Sequence, residues 1–176
     1  FWVDHWYIEM VNPETLEPVE PGEQGEMVFT HLTREGMPLV RYRQGDLTVL
    51  DDEPCECGRV AFPRCRRIVG RVDDVIHFKG SKIYPSAVQE ALFKFPEIAE
   101  YQIVVDRSKT VHEIIVRVEV NPMPKGNSAS EYRRNVEREL ANTLFANPRV
   151  EVTAPGTLPR YEGKAQRVLI KEPTAL

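Results

Sequence analysis

The pair of residues best suited to chemistry is a lysine placed directly after a glycine, in Leu158-Pro159-Arg160-Tyr161-Glu162-Gly163-Lys164-Ala165. Glycine frees the backbone, and a lysine ammonium is a compact charge on a flexible stem that can be delivered to a developing anion. The plainer alternative is a solvated surface lysine. Two earlier segments add weight. In Arg41-Tyr42-Arg43-Gln44-Gly45-Asp46-Leu47, Asp46 sits at a strand junction, where a carboxylate can accept two hydrogen bonds from a ribose diol. It can equally be a turn former bonded to its own backbone. In Val69-Gly70-Arg71-Val72-Asp73-Asp74-Val75-Ile76, Arg71 can fork onto a phosphate or a sugar hydroxyl. The alternative there is a hairpin tip closed by a surface ion pair worth about 0–1 kcal/mol. Taken together and in this order, the three segments point to a nucleotide-handling enzyme of which only a part is present.

Two other clusters carry possible chemistry. Cys55 and Cys57 have the look of half a zinc knuckle with one residue too few between them. A structural Zn2+ needs four ligands, so Cys65, His5, His31 or upstream chain would have to complete the set. Arg59, Arg64, Arg66, Arg67 and Arg71 form a basic cluster that could face polyphosphate or coenzyme A, or be a solvated face. Nucleic acid is the rival partner, but aromatic interleaving is missing and the net charge is -4.

The remaining composition sets bounds. A chain of 176 residues, 41% hydrophobic and 28% charged, can form one domain or a small domain plus part of another. No apolar run approaches the roughly 20 residues that span a bilayer, so no membrane is expected. Three cysteines, an odd number, argue for a reducing compartment, and the cytoplasm is the expected location. The start at Phe1-Trp2-Val3-Asp4, without methionine or a basic leader, is expected of a piece of something longer rather than an exported protein.

Positioning these groups requires a β-rich region followed by an α+β domain. Residues 6–11, 25–30, 39–43 and 47–50 read as strands of a meander, with a turn at Gln44-Gly45-Asp46. Short strands at 68–72 and 75–78 flank the Asp73-Asp74 turn. A capping box opening at Ser86 predicts a helix carrying Val88, Ala91, Leu92 and Phe95 on one face and stopped by Pro96. Strands follow at 101–105 and 114–120, the latter alternating Ile115, Arg117 and Glu119 against Ile114, Val116, Val118 and Val120. Ser128 opens a second helix striped by Tyr132, Val136, Leu140 and Leu144, and strands at 149–153 and 168–170 complete an antiparallel sheet with two helices.

In order and spacing, Gly25-Glu26-Met27-Val28-Phe29-Thr30, the 37–47 segment, Cys55-Glu56-Cys57-Gly58-Arg59, Gly70-Arg71-Val72-Asp73-Asp74 and Gly163-Lys164-Ala165-Gln166-Arg167-Val168 resemble the adenylate-forming ligases. The branch resembled is the phenylacetate–coenzyme A ligase family, which includes the coenzyme F390 synthetases. The resemblance implies a two-step reaction. ATP with Mg2+ and a carboxylic acid, here an aryl acid, give an acyl-adenylate, and coenzyme A then displaces AMP. It further implies that Asp46 holds the ribose hydroxyls and Arg71 contacts the ribose or phosphate side. Asp73 matches the hinge. Lys164 reaches the carboxylate and α-phosphate in the first step, and Phe78, Lys79 and Gly80 line the pantetheine tunnel in the second.

Residues 1–72 then read as the end of the large N-terminal domain and 73–176 as a mobile lid. Gln44, where a small hydroxyl residue is usual, and Gln89, where a glutamate is common, depart from the pattern. The phosphate-gripping loop and acyl pocket lie upstream in such enzymes, so the isolated chain is expected to be inactive. Two other readings stay open: adenylylation of a deazaflavin in the F390 manner, and a zinc-stabilised binding module with no catalysis.

Overall fold

The computed structural model describes residues 2–51, 53–58, 63–108, 112–122, 128–162 and 165–173. Contacts divide the chain into two units, Phe1–Val75 and Ile76–Leu176. No helix among the described residues is long and apolar enough to cross a membrane.

The first unit is an antiparallel sheet. Strands β1 (Trp6–Val11), β2 (Gln24–His31) and β3 (Tyr42–Asp51) lie side by side, and β3 also pairs with the short β4 (Arg64–Cys65) and β5 (Gly70–Arg71). Met27, Val28 and Phe29 of β2 are buried, as are Val11 and Leu47. Being consecutive, the three β2 residues point alternately to both faces of the sheet, so both faces are covered there. Glu26 is buried among them and is held by the Arg43 guanidinium, with Nη2 to Oε2 at 2.6 Å. A buried carboxylate needs such a partner.

The expected turn at Gln44-Gly45-Asp46 is instead a bulge inside one continuous strand. Glu26 pairs with Leu47 and Val28 with Arg43, so Gln44, Gly45 and Asp46 all lie opposite Met27. Gly45 has φ +88°, a left-handed conformation that side chains with a Cβ rarely adopt.

The second unit begins with the hairpin β6 (Ile76–Phe78) and β7 (Ser81–Ile83), joined through Lys79 and Gly80. Both tip residues have positive φ, as the twist of a two-residue hairpin turn requires. Helix α1 (Pro85–Leu92) follows, then β8 (Ile98–Asp106), β9 (Glu113–Val120), helix α2 (Ala129–Leu144), β10 (Arg149–Thr153) and β11 (Val168–Lys171). Val136 and Leu140 of α2 pack with Val88 and Leu92 of α1 over Ile103, Val105, Val116 and Val118 of the sheet. Each such side chain contributes about 1.5–3 kcal/mol through burial.

Class and helices match expectation, with differences of detail. Helix α1 starts one residue before Ser86: Tyr84 is the N-cap without a side-chain cap bond, and Pro85 occupies the first turn. Proline there presets φ and forfeits only an N–H that has no helical partner. Helix α2 is capped as read, with Ser128 Oγ accepting from Glu131 N at 3.2 Å. The four-stranded sheet runs β10-β9-β8-β11. Its central pair is antiparallel, whereas β10 lies parallel to β9 and β11 parallel to β8. The cause is connection: β9 reaches β10 through α2, a crossover that returns the chain in the same direction. The chain then passes from one edge of the sheet to the other between β10 and β11, carrying Lys164 on the way.

Candidate functional site

The bulge in β3 sets the geometry of the first constellation. Asp46 pairs in register with Arg71 of β5, and Val72 N donates to Gly45 O at 2.8 Å. Arg71 Nη1 donates to Asp46 Oδ1 at 3.0 Å, and its Nε and Nη2 reach Asp73 Oδ1 and Oδ2 at 3.0 and 3.2 Å. Asp74 stands 3.8 Å from Nε. A Cβ on residue 45 would lie 3.1 Å from Arg71 Nη2, so glycine is needed both for its φ and for the room it leaves the guanidinium. The hydrogen bond to Asp73, assisted by the field of all three carboxylates, raises the Arg71 pKa further. The other oxygen of Asp46 accepts from the Gln44 amide. Both oxygens of Asp46 are thus engaged, one by a charged guanidinium and one by a neutral amide.

The second constellation surrounds the segment that carries Lys164. Gly163 and Lys164 themselves lie outside the described residues, but both approaches to them are described. On the near side, the turn after β10 places Gly156 at φ +79° and aims its N–H at Glu119 Oε2, 3.0 Å away, while Leu158 N donates to Glu119 Oε1. Arg160 Nη2 and Nη1 reach Oε2 and Oε1 of the same carboxylate at 2.6 and 3.2 Å. Glu119 is fully buried (0% exposed). The Arg160 hydrogen bonds, reinforced by the two backbone donors against the cost of burial, bring its pKa down to about 2.

On the far side, Arg167 Nε and Nη2 donate to Glu100 Oε1 and Oε2 at 2.9 and 3.3 Å, and the guanidinium lies 4.7 Å from the centre of the Tyr101 ring. Burial opposes ionisation of Glu100, yet the bonds from Arg167 and from Tyr101 N outweigh it, and its pKa is lowered. Between the two anchors, the Tyr161 hydroxyl donates to Gln166 O at 2.7 Å.

The other sequence-predicted residues are placed as follows. Phe78 is buried in the core of the second unit, with Lys79 Nζ 5.0 Å from its ring centre, and Lys79 and Gly80 form the exposed hairpin tip. Gln89 has no capping role: it accepts from the Tyr101 hydroxyl at 2.9 Å. Cys57 Sγ donates to Cys55 Sγ at 2.9 Å, but no group of three or more His, Cys, Asp or Glu among the described residues could hold a metal. Two thiols supply only half of a tetrahedral zinc site. Of the basic cluster, Arg64 and Arg66 converge on Asp51 at 3.4 and 3.6 Å, so charge within the sheet edge absorbs them. Arg59 lies outside the described residues.

Glu100 and Glu119 were not singled out by sequence reasoning. Glu119 sits in an alternating strand as a solvent-facing residue would, and its partners lie about 40 positions downstream. A glutamate among β-branched neighbours was the available signal.

Comparison with known proteins identifies the family. The family model of the AMP-binding enzyme C-terminal domain matches residues 80–171, just over half of the chain. The phenylacetate-coenzyme A ligase of Thermus thermophilus is 37% identical over 96% of this chain and 41% of its own length. A crystal structure of 2-hydroxyisobutyryl-CoA ligase in the postadenylation state, in complex with R3-HIB-AMP, matches with a TM-score of 0.85 at 32% identity, over 97% of this chain and 37% of that one. The same ligase with 2-HIB-AMP and CoA in the thioesterification state matches with a TM-score of 0.52 at 32% identity, over 97% and 36%. The chain therefore spans about two fifths of the length of these relatives.

Proposed function

Since the chain belongs to the AMP-binding enzyme C-terminal domain family, we propose that it is the C-terminal part of an ATP-dependent aryl acid–coenzyme A ligase. In this reading a phenylacetate-like acid and ATP give acyl-adenylate and pyrophosphate, and the coenzyme A thiol then displaces AMP to give the thioester. The observation that carries it is the Asp46–Arg71 pair, 3.0 Å apart and fixed by backbone pairing of β3 with β5. Asp46 accepts from the ribose hydroxyls, which displace the Gln44 amide, while Arg71 faces the ribose or phosphate side. ATP would enter as its Mg2+ complex, in which the cation would offset part of the triphosphate charge.

Lys164 supplies the cation for the first half-reaction. Negative charge accumulates on the α-phosphate oxygens and the incoming carboxylate, and a positioned ammonium stabilises it. Asp73 is the hinge, and the domain that follows it rotates between half-reactions, presenting the Lys79–Gly80 tip to the pantetheine arm. Asp73 stands two residues before the division between the units at Val75 and Ile76, which supports a pivot there. A cytoplasmic location belongs to the same reading, and the odd number of cysteines, three, supports it.

The deciding experiment is acid-dependent ATP–pyrophosphate exchange by the full-length protein across a panel of aryl acids. Exchange with at least one acid, followed by thioester formation when coenzyme A is added, is the expected result. No exchange with any acid rejects the reading.

A further inference from the structure

Glu100 of β8 and Glu119 of β9 are register partners, so two carboxylates face each other directly across the sheet. Like charges so placed repel and destabilise a sheet unless something neutralises them. Here two guanidinium groups do so, Arg160 on Glu119 at 2.6 Å and Arg167 on Glu100 at 2.9 Å. The fields cross as well: Arg160 also lowers the pKa of Glu100.

The two arginines are the near and far shoulders of the segment that carries Lys164. That segment joins β10 at one edge of the sheet to β11 at the other, and must pass the ends of β9 and β8 in that order. Arg160 is spent on β9 and Arg167 on β8, matching the order of passage. The Tyr161–Gln166 bond then ties the two arms together.

Four charges and a tyrosine therefore fix the neck of the loop, and Glu119 adds the Gly156 and Leu158 amides to its grip. An apolar residue at 119 would avoid the cost of burying a carboxylate, but it would leave the Gly156 and Leu158 amides without their acceptor. This one side chain therefore ties both the turn after β10 and the Arg160 shoulder to the sheet. We propose that Glu119 and Glu100, acting through Arg160, Arg167 and Tyr161, are positioning residues that hold the Lys164 loop for the adenylation half-reaction. The inference rests on the ligase reading and on the role given there to Lys164.

The experiment compares both half-reactions in the full-length ligase for Glu119→Gln, Arg160→Gln, Tyr161→Phe and Lys164→Ala. Pyrophosphate exchange should fall about 10- to 100-fold in Glu119→Gln and Arg160→Gln, as misplacement by an ångström or so costs a positioned group. Thioester formation from supplied acyl-adenylate should stay within about two-fold of wild type, because uniform loss of fold would lower both rates alike. Tyr161→Phe touches no buried charge and decides the matter should Glu119→Gln not fold; its exchange should fall at least about three-fold with thioester formation retained. Equal loss in both half-reactions, or full exchange in Arg160→Gln and Tyr161→Phe, overturns the proposal. If Lys164→Ala abolishes exchange while the neck variants keep it, the neck proposal alone fails. If Lys164→Ala keeps full exchange, the role of Lys164 fails and the positioning role with it.

Discussion

Glu100 and Glu119 stand opposite each other on adjacent antiparallel strands, and each is neutralised by an arginine from the loop between β10 and β11. Sheet and loop therefore share one electrostatic unit, and disturbing either carboxylate should be felt in both.

Removing the buried partner should be costly. Glu119→Ala leaves two backbone N–H groups and a guanidinium without their acceptor, and the second unit should lose about 2–4 kcal/mol. The less buried Glu100→Ala should cost less. Urea unfolding followed by circular dichroism will rank them, and an equal or reversed ranking contradicts the burial argument.

Acid sensitivity has a defined direction. The Glu119 pKa is lowered from 4.5 to about 2 in the folded state, so the folded state binds this proton less readily than the unfolded one. Its stabilisation is complete above about pH 4.5 and is lost as pH falls towards 2. Melting of wild type and Glu119→Gln between pH 7 and 2.5 should converge at the acid end. Parallel curves would mean that the carboxylate does not carry the linkage.

At the bulge, Gly45→Ala should strain the backbone by about 1–2 kcal/mol, because φ is positive there. It would also crowd Arg71, whose Nη2 lies 3.1 Å from the added methyl. Calorimetric AMP binding by the full-length protein should weaken about ten-fold or more, whereas Gly36→Ala, with open space around it, should bind as wild type.

The 176-residue chain by itself should give no acid-dependent pyrophosphate exchange, since it spans about two fifths of the relatives it matches. Turnover by the isolated chain would show that an acyl pocket exists within it.

What the sequence discloses follows the range of the interactions involved. The α2 stripe Tyr132, Val136, Leu140 and Leu144 is a local period and is buried as read. The Ser128 cap is likewise local. The Gly45 bulge looks like a turn in the sequence because a glycine beside an aspartate suits either setting, and only pairing with β2 and β5 distinguishes them. Asp46 and Arg71, 25 positions apart, are brought together by that pairing. Glu119 is not legible in the sequence because strand alternation predicts an outward face, and its partner Arg160 belongs to a distant part of the chain.

The close spacing of the two anchors has a kinetic meaning. Arg160 and Arg167 are tied to adjacent strands, and Lys164 is the third residue before Arg167. In the proposed reading, a cation carried three residues of extended chain from such an anchor strays no more than about 10 Å. One charge in a sphere of that radius corresponds to an effective concentration on the order of 0.4 M, far above what a long flexible linker would supply. Lengthening the segment between the anchors should dilute that cation before it unfolds anything.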